Sequence, residues 1–354
     1  MMLRWRTRAT MRWNRPWIRL SGIFALTFVF LYFFFRSVDW REVFGYLNDV
    51  NLTFFVLIIL MVPLHLATRS IRWQYLLKHE KKHVGFYPRF AGNAVGFTVT
   101  LTFPGRLGEL VKPLYLAQKE DMRKGFVMGT VVVERIFDIF TMCFLLGVFI
   151  ISRPLYASIF RIDEETYSNL YFWGFVGIAF ASALLFVALS LYFFRDKTLR
   201  IIAFLMKPFP EGFRTRVLSL AEEFIQGLKF FHSLGNLLVY GLWSIVVWIG
   251  IIFYYWVFFF AYNISVPFFF IFPYVFLTMV GASIPTPGMV GGFHYFSKLA
   301  LTSLYGIDGN LAVSMTIVVH AVQVLVTCLL GYVILWKEGL SLLQIKKLGE
   351  EVEP

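Results

Sequence analysis

Six ionisable side chains lie where apolar sequence surrounds them: Arg106, Glu109, Lys112, Glu134, Arg135 and Asp138. An ionisable group inside hydrocarbon costs ~2.5–3.5 kcal/mol even on the mild insertion scale, so such groups survive when paired or when facing a wet cavity. The signs of these six balance and all lie in one third of the chain, so one shared site is the simplest reading. Arg106 follows Pro104-Gly105. A helix restarting there offers free N–H groups and a positive dipole end, both of which favour an anion. The planar guanidinium can grip a phosphate through two bonds, and Lys112 adds charge. Glu109, three residues beyond Arg106, can pair with it or release its ligand. Glu134 lies nine residues into its apolar run, ~14 Å deep at ~1.5 Å per residue. Glu134 and Asp138 share a helix face, and Arg135 can reach Asp138. Such a cluster suits proton coupling, a headgroup relay, or a buried ion network that locks helices together.

Those residues need a membrane around them. Of 354 residues, 58% are hydrophobic and 15% charged, with 42 Phe. A soluble fold of this length could not hide that apolar surface. An ordinary cytosolic enzyme, a disordered chain and a disulfide scaffold are excluded, and the fold class expected is all-α and polytopic. Cys143 and Cys328 lie in apolar runs and read as inert packing residues. Neither metal-ligand spacing nor a Walker motif is present, so no metal, cofactor or ATP hydrolysis is expected.

Long apolar runs predict spans at about 18–35, 52–77, 125–151, 170–194, 234–260 and 311–336. The first lacks a small-residue cleavage site and reads as retained. The connecting segments differ in charge. Residues 1–19 carry six Arg and no acid, 69–89 six bases and one acid, 118–124 three and two, and 195–233 seven and four. Residues 36–51 and 152–168 each carry two bases and three acids, and 261–266 none. The positive-inside rule places the first set, and with them both termini, in the cytoplasm. This accounts for the net charge of +12 without nucleic acid. Arg69, Arg72 and Trp73 end the second span, where they read as interfacial anchors or as a first contact for anionic headgroups. Residues 198–232 read as an amphipathic surface helix.

Two further stretches, about 85–117 and 267–305, are broken by Pro and Gly. Phe103-Pro104-Gly105-Arg106-Leu107-Gly108-Glu109 matches Thr286-Pro287-Gly288-Met289-Val290-Gly291-Gly292 at an offset of 183, and Pro285 precedes the second motif. At an offset of 185, Arg135 matches His320, Asp138 matches Gln323 and Cys143 matches Cys328. Pro removes a backbone donor and Gly permits a tight reversal. Such irregular backbone at membrane depth survives only inside protein or beside a wet cavity. The expectation is six full spans plus two re-entrant hairpins forming an inverted-topology repeat, residues 1–168 and 169–354, with substrate between the broken helices. The alternative lets each broken stretch cross twice, giving ten spans. His294 and His320 can change charge near neutral pH or serve as packing residues, and His65, beside Pro63, reads as packing.

Arg69-x-x-Arg72-Trp73, Asn93 followed by Pro104-Gly105-Arg106-Leu107-Gly108-Glu109, Val132-Val133-Glu134-Arg135-Ile136-Phe137-Asp138 and Pro285-Thr286-Pro287-Gly288 together resemble the lysylphosphatidylglycerol synthase transmembrane-region family, also described as flippase-like. The resemblance covers nearly the whole chain. It implies a helical integral membrane protein that handles lipids or polyprenyl-linked lipids, in a bacterial-type inner membrane. Met289 stands where the family's second motif usually has Gly, and His294 where a Glu is expected, which leaves a second-half carboxylate without a role. Only 18 residues follow the last predicted span, so the synthase's aminoacyl-transferase reaction is not expected.

The function expected is therefore a lipid translocase for an anionic or polyprenyl-type lipid. Arg106, Lys112, Arg135, Asn93, Arg69 and Arg72 would contact substrate. Glu109, Glu134, Asp138, His320, Gln323 and His294 would balance charge or couple to protons. Alternatives are a membrane-embedded headgroup transferase, with Glu134, Asp138 and His320 as acid and base, and a subunit partnering a separate lipid-modifying enzyme. The oligomeric state is left open.

Overall fold

A computed structural model describes residues 15–36, 38–156, 164–228, 230, 233–341 and 344. The Arg-rich start and most of the tail lie outside these. Among the described residues there is no strand. The helices are α1 (Arg15–Phe35), α2 (Trp40–Asn48), α3 (Leu52–Leu77), α4 (Phe86–Thr102), α5 (Gly108–Glu120), α6 (Lys124–Ile151), α7 (Arg153–Tyr156), α8 (Glu164–Phe193), α9 (Arg195–Leu205), α10 (Glu211–Gly227), α11 (Leu234–Ala261), α12 (Ile271–Ser283), α13 (Gly292–Tyr305) and α14 (Gly309–Lys337).

The six apolar runs become α1, α3, α6, α8, α11 and α14. Within α3, α8, α11 and α14, the stretches Leu52–Leu77, Tyr167–Phe193, Gly235–Ala261 and Gly309–Lys337 are long and apolar enough to cross a bilayer. Their outward faces are apolar too: Phe175 on α8, Leu242 on α11 and Leu325 on α14 are each more than 60% exposed. Such an aromatic and aliphatic girdle costs little in lipid and would drive aggregation in water. Where the sequence suggests one amphipathic helix over 198–232, the chain forms two, α9 and α10. Pro208 and Pro210 lie between them and break the hydrogen-bond ladder.

The connections gather in two sets. Lys81 pairs with Glu120 at 2.7 Å, Arg123 with Glu80 at 3.3 Å, and Lys78 donates to Asn236 at 3.0 Å, so the basic connections share one end of the bundle. At the other end Asn310 donates to Glu42 at 2.6 Å and Asn263 donates to the Asp49 carbonyl at 3.3 Å. Asn51 and Asp308 start α3 and α14 there by accepting from N–H groups of the first turn.

At the basic end, Glu338 closes α14 against the first broken stretch. It accepts from Tyr87 at 3.1 Å and Tyr115 at 2.6 Å and pairs with Lys119. Burial pushes its carboxyl up, but the Lys119 ammonium and the two hydroxyls outweigh burial and hold it below the usual carboxylate value. A depressed folded value stabilises above the unfolded value of about 4.3 and is lost as pH falls through the folded one. Wild type and Glu338→Gln are expected to melt apart at neutral pH and to converge below about pH 4. Equal melting at neutral pH would remove this contact from the stability account.

The broken stretches are two helix-turn-helix hairpins, α4–α5 and α12–α13. The arms of the first pack so closely that a Cβ on Gly108 would lie 1.8 Å from the Gly96 carbonyl oxygen. In the second, a Cβ on Gly281 or Gly292 would lie 2.5 Å from the other's carbonyl oxygen. The tips also correspond. Gly105 and Arg106 have φ of 81° and 57°, and Gly288 and Met289 have φ of 59° and 61°. An L-residue in that left-handed region costs about 1–2 kcal/mol, so each turn holds one strained side chain, at matching positions. The first hairpin starts and ends at the basic end. The second returns to the opposite end, where Tyr305 donates to the Phe270 carbonyl at 2.6 Å. Their tips meet: Arg106 donates through Nη2 to the Ala282 carbonyl at the close of α12.

Candidate functional site

Where the tips meet, α3, α6, α11 and α14 enclose a partly open cavity of about 240 Å³. Its lining includes Arg69, Arg106, Glu109, Arg135, Asp138, His320 and Gln323. Three pairs matched by sequence offset therefore face one space, Arg106 with Met289, Arg135 with His320 and Asp138 with Gln323, whereas Cys143 and Cys328 lie outside it.

Asp138 is the hub of the charge network. Its Oδ1 accepts from Arg72 Nη1 at 2.7 Å and from Trp248 Nε1 at 3.3 Å. Its Oδ2 meets Arg69 Nη1 at 3.2 Å and Arg135 Nη1 at 3.3 Å. Arg72 continues to Glu134 at 3.4 Å and to the Ser244 hydroxyl at 3.1 Å. Lys112 pairs with the other oxygen of Glu134, its ammonium 4.2 Å from the Trp73 ring centre. Arg135 Nε stands 3.5 Å from Glu109, an ionic contact too long for a good hydrogen bond. Four cations (Arg69, Arg72, Lys112, Arg135) thus share three carboxylates (Glu109, Glu134, Asp138), and Arg106, bonded to the Ala282 carbonyl, adds a fifth positive charge without an ion pair among the described residues. The balanced six read from sequence become eight with a positive surplus, because Arg69 and Arg72 turn inward from the end of α3.

The arrangement separates lining from support. Arg72 and Glu134 are fully buried, and with Lys112 they stand behind the cavity without lining it. Asn93 is also buried away from it, donating to the Ser70 hydroxyl at 3.0 Å and the Arg89 carbonyl at 3.1 Å. His294 does not line the cavity, but its ring centre is 4.6 Å from that of His320. At the tips, Gly108, Gly288 and Gly291 are buried and Pro104 and Pro287 half-buried, whereas Gly105 and Pro285 reach the protein surface.

Sequence reasoning passed over several contributors. His65 lines the cavity and accepts from Arg69 Nε at 2.9 Å. The signal was available: His65, Arg69 and Arg72 form an i, i+4, i+7 stripe on one helix face. Tyr254 and Trp248 gave no signal within an aromatic-rich span. Lys298, the other base inside an apolar stretch, donates to the Phe34 carbonyl at 2.8 Å and ties α13 to α1, outside the cavity.

Comparison with known proteins places the chain among membrane proteins. A UPF0104 membrane protein of Methanocaldococcus jannaschii is 22% identical over 218 residues, 60% of this chain and 62% of that relative. The chain thus matches less than two thirds of the relative's length. No solved structure matches the chain. A family model described as the lysylphosphatidylglycerol synthase TM region matches residues 20–331. The chain is an integral membrane protein and belongs to the lysylphosphatidylglycerol synthase transmembrane-region family.

Proposed function

We propose that this protein moves a phosphate-bearing lipid between membrane leaflets, binding the headgroup in the cavity between the hairpin tips. One observation carries the reading: three arginines and two carboxylates line a cavity inside an apolar bundle, backed by a network with more cations than acids. Opposite unit charges ~4 Å apart attract by about 4 kcal/mol at an effective dielectric near 20, against about 1 kcal/mol net for an ordinary hydrogen bond. Charge therefore selects the ligand class, and a phosphodiester offsets part of the surplus. Glu109 holds Arg135 loosely, so an entering phosphate competes with it for the guanidinium.

The topology follows from the same reading. Hairpin arms α5, α12 and α13 have 13, 13 and 14 residues, and ~20 are needed to cross a bilayer core. We therefore take the hairpins as re-entrant from opposite faces, with six full spans around them and halves 1–168 and 169–354 inversely related. The basic end faces the cytoplasm. Asn93, Arg72, Lys112 and Glu134 position the lining, and His294 supports His320.

The test is leaflet exchange in reconstituted vesicles, read as the dithionite-accessible fraction of acyl-labelled phosphatidylglycerol. Wild type is expected to exchange it well above protein-free vesicles. Arg135→Gln and Arg106→Gln should lower the rate at least tenfold, which is ~1.4 kcal/mol, while gel filtration shows folded protein. Wild-type exchange equal to that of empty vesicles defeats the proposal.

A further inference from the structure

We infer that the cavity accepts headgroups built from a phosphodiester and neutral hydroxyls, and turns away headgroups that also carry an ammonium. The inference rests on the translocase reading and narrows its substrate.

An ammonium needs a carboxylate with free lone pairs, and the site offers almost none. Asp138 receives two donors on each oxygen: Arg72 and Trp248 on one, Arg69 and Arg135 on the other. Glu134 is enclosed between Arg72 and Lys112 and does not line the cavity. Glu109 keeps spare acceptor capacity, but a cation reaching it enters the field of Arg135, 3.5 Å away, and of Arg106, three residues back along the chain. The lining aromatics do not compensate. Phe97 already faces the Arg69 guanidinium, 5.6 Å from its ring centre. Cation–π attraction is in any case weaker than unscreened repulsion between like charges at these distances.

The rest of the lining is mostly apolar, and the polar groups set into it are uncharged and in part idle. The Tyr254 hydroxyl and His320 Nε2 are buried without a hydrogen-bond partner in the protein, as is Nδ1 of His65. Gln323 and Ser283 lie on the same cavity. Buried polar groups left without partners are costly, and the hydroxyls of a glycerol or sugar headgroup match them as both donors and acceptors. Tyr254, His320, Gln323 and Ser283 come from the second half, opposite in sequence to the arginines. That half matches Arg135 and Asp138 with an imidazole and an amide, so no second carboxylate is supplied there.

The experiment compares headgroups on the full chain in phosphatidylcholine vesicles carrying trace acyl-labelled phosphatidylglycerol or phosphatidylethanolamine. Phosphatidylglycerol is expected to exchange at least tenfold faster. Equal rates overturn the inference while leaving the translocase reading intact. Exchange of neither lipid above protein-free vesicles defeats both. Uptake of soluble glycerol phosphate by the same vesicles, without lipid exchange, overturns the assignment to a lipid headgroup. Gln323→Glu adds a carboxylate to the neutral wall and should narrow the preference at least threefold. An unchanged ratio in folded variant counts against the inference, and if the variant does not fold, the wild-type headgroup comparison decides alone.

Discussion

Asp138→Asn is expected to destabilise the protein by about 3–5 kcal/mol, the usual penalty for removing one partner of a buried ion pair. Asparagine keeps the volume but removes the charge, and it turns an amide donor toward guanidinium donors. Arg72, fully buried, would then keep Glu134, which Lys112 also claims, as its one remaining carboxylate. Arg69 would keep no carboxylate and Arg135 only Glu109. The measurement is the melting temperature in detergent, with Glu222→Gln as control. Glu222 pairs with Arg195 at an exposed site, where an ion pair contributes at most about 1 kcal/mol. Coupling supplies a second check: Asp138→Asn combined with Arg72→Met should cost less than the sum of the two alone, because the charge left stranded by the first is absent. Melting of Asp138→Asn within error of wild type would mean that the network is not what holds these helices.

Gly108→Ala is expected to be comparably damaging through sterics alone. A methyl there would stand 1.8 Å from the Gly96 carbonyl oxygen, 2.1 Å from Thr100 Oγ1 and 2.8 Å from the Thr100 nitrogen. Two of these are backbone atoms and cannot rotate away. Helix propensity favours Ala by about 1 kcal/mol, but overpacking costs 1–3 kcal/mol and occasionally more, and here relief requires the arms of the hairpin to part. Parting them pulls Lys112 from Glu134 and shifts Arg106 and Glu109 at the cavity, so lipid exchange should fall with stability. Gly45→Ala in α2 is the control. A Cβ there meets nothing within 4 Å, so the propensity gain stands alone and stability should rise slightly. Gly108→Ala melting like wild type would sink the packing argument.

Much of this architecture was legible in the chain because hydrocarbon imposes strong rules. Apolar runs of span length became α1, α3, α6, α8, α11 and α14, and the charge bias of their connections matched the two ends at which those connections gather. Pro-Gly pairs marked both turns, and the offsets linking Arg135 to His320 and Asp138 to Gln323 pointed to positions that share one cavity. What stayed hidden was side-chain direction. Arg69 and Arg72 read as interfacial anchors or a first contact for headgroups, because span-end arginines commonly snorkel, yet both turn inward to the carboxylates of α6. Lys112 and Arg106 looked alike on a charge count. Arg106 sits in the left-handed tip and Lys112 inside α5, and that difference sends one ammonium to Glu134 and leaves one guanidinium on the cavity wall. Tyr254 was invisible because an aromatic in an aromatic-rich span carries no spacing signal.

The glycine contacts inside the two hairpins have a mechanical consequence. Backbone rests on backbone at Gly96 and Gly108, and again at Gly281 and Gly292, so no side chain lies between to be squeezed or to swing aside. Each stem is a stiff lever. A displacement at the Tyr115–Glu338 foot of one is therefore expected to reach its tip, where Arg106 holds the Ala282 carbonyl of the other.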